Sequence, residues 1–247
     1  MSEFSGKTVL ITGAAGGFGR LLAARLDRDG AHLVLGDLDE PSLATLASGL
    51  THRPAFMRCD VTREGDQRQL VELAASRFGR LDIAINNAGG TSPMKGFLET
   101  TEEDIDWNFR LNAKGVFFGM KHQISQMINN GGGSILNVAS VAGISGAPKN
   151  TAYCAAKHAV VGMTRTAAVE YAKKNVRVNA ICPYFSPTPL MTKSNMIERR
   201  AQLEAAVPLK RLAEPEEVVA AMLSIVLPSN SYLTGQAIAV DGGISAF

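Results

Sequence analysis

Short apolar runs and longer amphipathic stretches alternate along the chain. Residues 7–11 (KTVLI) read as a strand that stops at Thr12-Gly13. Residues 18–28 then carry Leu21, Leu22, Ala24 and Leu26, which predicts a helix closing near Gly30. Further apolar runs predict strands over 32–35, 55–60, 81–85, 134–138, 176–181 and 236–240. Between them, helices are predicted over 41–50, 62–78, 101–128, 152–172 and 215–227. In 62–78 the apolar residues Leu70, Leu73, Ala74 and Phe78 recur every three to four positions, the helical period. Gly131-Gly132-Gly133 breaks the 101–128 segment, which reads as one or two helices, and Pro215 suits an early helical position.

Strands alternating with helices predict an α/β fold, a doubly wound parallel sheet. The strands are near-continuous apolar runs, as expected where both faces are covered. No repeat, low-complexity segment or linker interrupts the chain, so residues 1–247 read as a single domain. The stretch 182–210 contains Pro183, Pro187, Pro189 and Pro208. It is the candidate lid, at about 184–210, in place of a domain boundary.

Composition narrows the class. A chain of 247 residues buries about three quarters of its unfolded surface, enough for a core without disulfides or metal. Apolar residues at 46% and charged residues at 19% exclude intrinsic disorder. The net charge is only +2. No Lys/Arg cluster exceeds two residues, so no nucleic-acid footprint is expected. Cys59, Cys154 and Cys182 are odd in number and widely spaced, which speaks against a disulfide framework and a zinc site. No metal is expected. The first residues lack a signal-peptide pattern, and no apolar stretch approaches the ~18 residues of a membrane span. A cytoplasmic protein without membrane attachment is the expectation.

The glycine-rich string at 12–19 (TGAAGGFG) follows a strand and opens a helix. In that context Gly13, Gly16, Gly17 and Gly19 let the backbone turn tightly and approach a pyrophosphate at the helix N-terminus. Phe18 is expected to contribute through its backbone. Asp37 ends the second strand, where a carboxylate can accept both hydroxyls of an adenosine ribose and repel a 2′-phosphate. Leu38 follows where a basic residue would favour that phosphate, and Ala15 is not basic. Both features favour NAD over NADP.

Tyr153 and Lys157 are four apart on a predicted helix, so they share one face. Ser140 lies just past the fifth strand, at the end where open α/β sheets build their sites. A free Tyr, with a pKa near ~10, is a poor base at neutral pH. A neighbouring ammonium is expected to favour the phenolate, so that Tyr153 exchanges a proton with an alcohol or carbonyl oxygen. Ser140 can hold the same oxygen.

These residues, in this order, resemble the short-chain dehydrogenase/reductase family of ~250-residue chains. The resemblance spans essentially the whole chain. Its motifs stand as TGAAGGFG at 12–19, DV at 60–61, NNAG at 86–89 and NAKG at 112–115. Ser140, YCAAK at 153–157, RVNAICP at 177–183 and VDGG at 240–243 complete them. The resemblance implies one Rossmann-like domain with a seven-stranded parallel sheet, binding NAD and a small-molecule alcohol or ketone. It implies that Tyr153 is the general acid/base and that Lys157 binds the nicotinamide ribose. Ser140 would orient the substrate oxygen, and Asn112 would sit at a helix kink and hold a water that relays protons from Lys157. Asp60 and Val61 would contact adenine. Asn86, Ala88 and Gly89 would line the adenosine side, with Asn87 tying neighbouring strands together. Family members of this size pair through the 101–128 and 152–172 helices, so a homotetramer is expected. The alternatives are an NADPH-dependent 3-oxoacyl thioester reductase and a non-catalytic dinucleotide-binding protein.

One departure stands out. The family has Pro-Gly after the sixth strand, whereas Pro183 here precedes Tyr184. Pro183 and Thr188 keep their spacing, so Pro183, Phe185 and Thr188 are expected against the nicotinamide. Tyr184 is expected to wall the substrate pocket, which also draws Ala142 and Asn150 from the 141–150 segment. Lys149 reads as solvated, Trp107 as core, and the four histidines as packing or surface residues.

Overall fold

The computed structural model describes residues 2–192 and 197–246. Residues 193–196, inside the predicted lid, lie outside the described residues.

Seven parallel strands form one sheet in the order β3-β2-β1-β4-β5-β6-β7. They are β1 (Thr8–Thr12), β2 (His32–Asp37), β3 (Ala55–Arg58), β4 (Ile83–Asn86), β5 (Gly133–Val138), β6 (Val176–Pro183) and β7 (Ala237–Val240). Parallel neighbours need crossovers, and helices supply them. These are α1 (Gly17–Arg28), α2 (Glu40–Ser48), α3 (Glu64–Phe78), α4 (Glu102–Asn108), α5 (Gly115–Asn129), α6 (Thr151–Tyr171) and α9 (Pro215–Val226). Two short helices, α7 (Pro189–Thr192) and α8 (Arg200–Ala206), precede α9.

The central strands are buried throughout, as their continuous apolar runs require. Two cores result. Leu10, Val34, Ala84, Ile135 and Ala180 face the α3, α5 and α6 side. Val9, Ile11, Leu35, Ile85, Leu136 and Ile181 face α1 and α9. At the edges the pattern changes. In β3 exposed Phe56 and Arg58 alternate with half-buried Ala55 and Met57. Only one face of that edge is well covered, so the expectation of strands covered on both faces fails there.

Several expected boundaries shift. The third strand stops at Arg58, because Asp60 enters a turn in which its Oδ1 accepts from Thr62 N and Oγ1 at 3.0 and 2.7 Å. The fourth begins at Ile83 and runs through Asn86, since Asp82 instead accepts the Thr8 N–H on its carboxylate. The 101–128 segment is α4, a π-helical turn over Phe109–Lys114, then α5. Thr101 caps α4 by accepting from Asp104 N, and the Asp104 carboxylate returns a bond to the Thr101 N–H. Trp107 is not core. It is 41% exposed, and its indole edge covers the backbone at Gly90. The acidic first turn of α4 keeps that helix at the surface.

The strand order reverses between β1 and β4. That switch point opens a crevice beyond their C-terminal ends, where ligands of open α/β sheets bind.

Candidate active site

The glycine turn sits on one side of this crevice. Gly13 has φ +64°, a left-handed conformation that glycine adopts without strain. A Cβ there would stand 2.8 Å from Ala88 Cα, and one on Gly19 would stand 2.2 Å from the Gly13 carbonyl oxygen. The turn therefore packs backbone on backbone. Helix α1 begins at its end with no side-chain cap from Gly16 and no acidic residue in its first turn. Its leading N–H groups and positive dipole end thus suit an anion. Phe18 packs against the core, consistent with a backbone contribution only.

Asp37 closes β2 beside the turn. Its Oδ2 accepts the Ala15 N–H at 2.9 Å and its Oδ1 the Asp39 N–H at 3.0 Å. The Ala15 carbonyl accepts from Arg20 Nε at 2.7 Å. The carboxylate is thereby held at the mouth of the turn, with Leu38 exposed next to it. Asn87 donates from Nδ2 to the Thr12 and Gly13 carbonyls at 3.1 and 3.0 Å. Thr12 Oγ1 accepts from the Asn87 and Ala88 N–H groups. These bonds tie the end of β4 to the end of β1. Asn86 turns the other way, into a buried network with Gln123 and Asn137. Val61 and Ala88 line a small cleft together with Thr12 and Gly115.

The proposed chemical residues converge on the other side. Ser140 follows β5, and its Oγ accepts the Ala142 N–H at 3.2 Å. Tyr153 and Lys157 project from α6, with the Lys157 ammonium 5.5 Å from the Tyr153 ring centroid. The Ser140 side chain lies close enough to the Tyr153 phenol to pull its pKa down. Lys157 is 3% exposed, and its Nζ donates to the Val138 carbonyl at 2.7 Å. Asn112 lies in the π turn, fully buried. Its Nδ2 donates to the Gly90 carbonyl at 2.9 Å and its Oδ1 accepts the Gly90 N–H at 3.1 Å. A Cβ on Gly89 would stand 2.9 Å from Asn112 Oδ1 and 3.5 Å from Lys157 Nζ. The absence of a side chain at 89 thus leaves these two groups side by side. The Val138 carbonyl is a partner that no side-chain motif announces. Cys182 is another neighbour: the Ser140 backbone lies against its thiol and lowers its pKa in part.

Burial dominates the electrostatics. It pushes the Tyr153 phenol up to about 12, and Ser140 pulls it back. Burial also drives the Lys157 ammonium down to about 8. Among the protein's own groups, burial sets the direction of the Tyr153 shift, opposed by Ser140.

A stability profile follows. Below pH 8 Lys157 is charged in both folded and unfolded chains, and the burial cost is complete. Between about pH 8 and its ordinary value of 10.5, the unfolded chain binds more protons, so stability rises with pH. From about 10 to 12 Tyr153 reverses the sign, because the unfolded phenol ionises first. The difference in melting temperature between Lys157→Met and the natural chain is expected to be largest near pH 7. It should shrink towards pH 10, and a constant difference excludes this account.

The flanking loops frame the opening. Lys95 N–H donates to the Lys149 carbonyl at 2.9 Å, joining the 91–97 and 141–150 segments. Thr91 Oγ1 donates to Asn150 Oδ1 at 3.4 Å. Ala142 is buried behind Ser140, and Lys149 is exposed, as expected for a solvated charge. The loop after β6 crosses back to the glycine turn, where a Cβ on Gly17 would meet Thr188 at 2.8 Å. Tyr184 and Phe185 pack edge to face with centroids 4.8 Å apart. The histidines take other partners: His52 on Asp27, His122 on Glu64, His158 on the Cys154 carbonyl and His32 stacked on Phe78.

Comparison with known proteins places the chain in a family. A family model described as enoyl-(acyl carrier protein) reductase matches residues 13–245. The chain is 36% identical to a 2,5-dichloro-2,5-cyclohexadiene-1,4-diol dehydrogenase of Sphingobium indicum, over the full length of both. A short-chain type dehydrogenase/reductase from Mycobacterium marinum superposes with a TM-score of 0.93 at 31% identity, covering 99% of this chain and 97% of that one. The 3-ketoacyl-(acyl-carrier-protein) reductase of Brucella melitensis, solved with NADH, gives 0.92 at 33% identity, covering 98% and 99%. The chain belongs to the short-chain dehydrogenase/reductase family. It is an oxidoreductase with the family's nicotinamide-dinucleotide fold.

Proposed function

We propose that this enzyme interconverts a secondary alcohol and a ketone with NAD(H), with Tyr153 as the general acid/base. The observation that carries the reading is the buried ammonium of Lys157, held on the Val138 carbonyl against the Tyr153 ring beside Ser140. Nothing in a packed core requires a lysine there. The dinucleotide, when bound, accepts or delivers the hydride. Ser140 and Tyr153 hold the substrate oxygen between their hydroxyls. Tyr153 takes the proton of an alcohol or returns one to a ketone oxygen. Lys157 binds the nicotinamide ribose, and Asn112 positions a proton path beside it. Gly13, Gly16, Gly17, Phe18 and Gly19 cradle the pyrophosphate through backbone groups. Asp60, Val61, Ala88 and Gly89 flank the adenosine, while Pro183, Phe185 and Thr188 approach the nicotinamide.

Asp37 carries the preference for NAD. A 2′-phosphate beside this carboxylate meets like charge, and Leu38 supplies no cation to offset it. Asp37→Ala is expected to lower the NAD-over-NADP ratio of kcat/KM by about tenfold or more, measured by reduced-nicotinamide absorbance. An unchanged ratio removes Asp37 from this role. The Brucella reductase, itself a 3-ketoacyl-(acyl-carrier-protein) reductase, was solved with NADH, which supports NAD(H) as the cofactor. Assembly as a homotetramer belongs to the proposal. Phe117 on α5 and Val169 on α6 expose apolar side chains that such an interface would cover. A reducing cytoplasm suits the three free thiols.

A further inference from the structure

Tyr184 stands where β6 leaves the sheet. Ala180 donates its N–H to the Gln236 carbonyl at 2.8 Å, and Tyr184 donates to Val240 at 3.1 Å. The β6–β7 ladder therefore continues through Tyr184 with unbroken period. Side chains alternate along such a ladder, so Ala180, Cys182 and Tyr184 share a face. That is the α6 face: Ala180 and Cys182 belong to its core, and the Cys182 thiol meets the Ser140 backbone. Tyr184 thus lies one same-face step, about 7 Å, beyond the residue that touches Ser140.

Two more observations concern what Tyr184 offers there. Its ring is fixed edge to face by Phe185, with an interplanar angle of 82°. The result is a rigid aromatic corner in place of a bare backbone. Its hydroxyl has no hydrogen-bond partner among the described residues, although burial already pushes the phenol up. A half-buried hydroxyl without a partner invites one from a ligand.

We propose that Tyr184 and Phe185 select a cyclic secondary alcohol that bears a second oxygen. The substrate ring packs on the aromatic corner, and the Tyr184 hydroxyl bonds the second oxygen while Ser140 and Tyr153 hold the first. This rests on the alcohol–ketone reading above. An extended acyl thioester offers no ring face for the corner and gains nothing from it.

The test uses the purified full chain with NAD and three alcohols: 2-hexanol, cyclohexanol and 1,4-cyclohexanediol. The natural enzyme is expected to prefer cyclohexanol to 2-hexanol by about tenfold in kcat/KM, and the diol further still. Tyr184→Phe should keep the ring preference and lose the advantage of the diol, chiefly through KM. Tyr184→Gly should collapse the preference for rings, with Tyr184→Leu as a second variant should the glycine chain not fold. NADH affinity and melting temperature, measured in parallel, separate a changed pocket from a damaged fold. Turnover with a ring-to-linear ratio that these variants leave unmoved overturns the wall and spares the alcohol–ketone reading. Turnover of none of the alcohols and none of the matching ketones overturns both.

Discussion

Tyr153→Phe is expected to lower kcat/KM by about 10²–10⁴-fold, the range of a positioned acid/base, while NADH still binds. The substitution keeps the ring over which the Lys157 ammonium lies and removes only the hydroxyl. The glycine turn and Asp37 are untouched, so binding of the dinucleotide and proton transfer separate cleanly. The pH profile gives a second reading. Oxidation needs the phenolate, and burial holds Tyr153 up to about 12. Oxidation is therefore expected to rise with pH across the neutral and alkaline range, about tenfold per unit below the operative pKa. Reduction needs the phenol and should fall over the same alkaline range. The residual rate of Tyr153→Phe should show no such limb. Turnover equal to that of the natural chain excludes Tyr153 as the acid/base.

Much of this site is legible along the chain because it depends on local rules. The central strands announce themselves as continuous apolar runs, since β1 and β4 are covered on both faces. Tyr153 and Lys157 share a face because four residues make about one helical turn. The glycine turn reads from its place between a strand and a helix. What stays hidden depends on three-dimensional packing. Trp107 reads as core by its size, yet α4 lies at the surface and the indole covers the Gly90 backbone. The π turn over Phe109–Lys114 leaves no periodic mark, because one extra residue in a helix alters the register without altering the composition. That burial pushes Tyr153 up and Lys157 down also follows from packing that the sequence does not display. The loop after β6 has no periodicity to read, and its aromatic corner appears only when the ladder to β7 is traced.

Gly19→Ala is the second large effect, and it tests the scaffold instead of the chemistry. A Cβ at this position would stand 2.2 Å from the Gly13 carbonyl oxygen and 2.7 Å from Ala14 Cα. Both obstacles are backbone, so no side-chain rotation relieves them. The turn must open, and Gly13 moves with it. Gly13 is held by Asn87 Nδ2 on its carbonyl at 3.0 Å, so the disturbance reaches the end of β4. Overpacking of this kind costs about 1–3 kcal/mol, which for a chain of this size lowers the melting temperature by roughly 2–12 °C. The same opening displaces the first N–H groups of α1. The affinity for NADH, read by fluorescence titration, is expected to fall at least tenfold, or ~1.4 kcal/mol. Gly162→Ala supplies the opposite case. It lies exposed within α6 with no atom within 4 Å of a new Cβ. Alanine there should stabilise by about 0.5–1 kcal/mol through helix propensity. A Gly19→Ala chain that melts with Gly162→Ala and binds NADH normally would show that the turn accommodates a side chain, and the tight backbone packing at its centre would lose its place in the binding site.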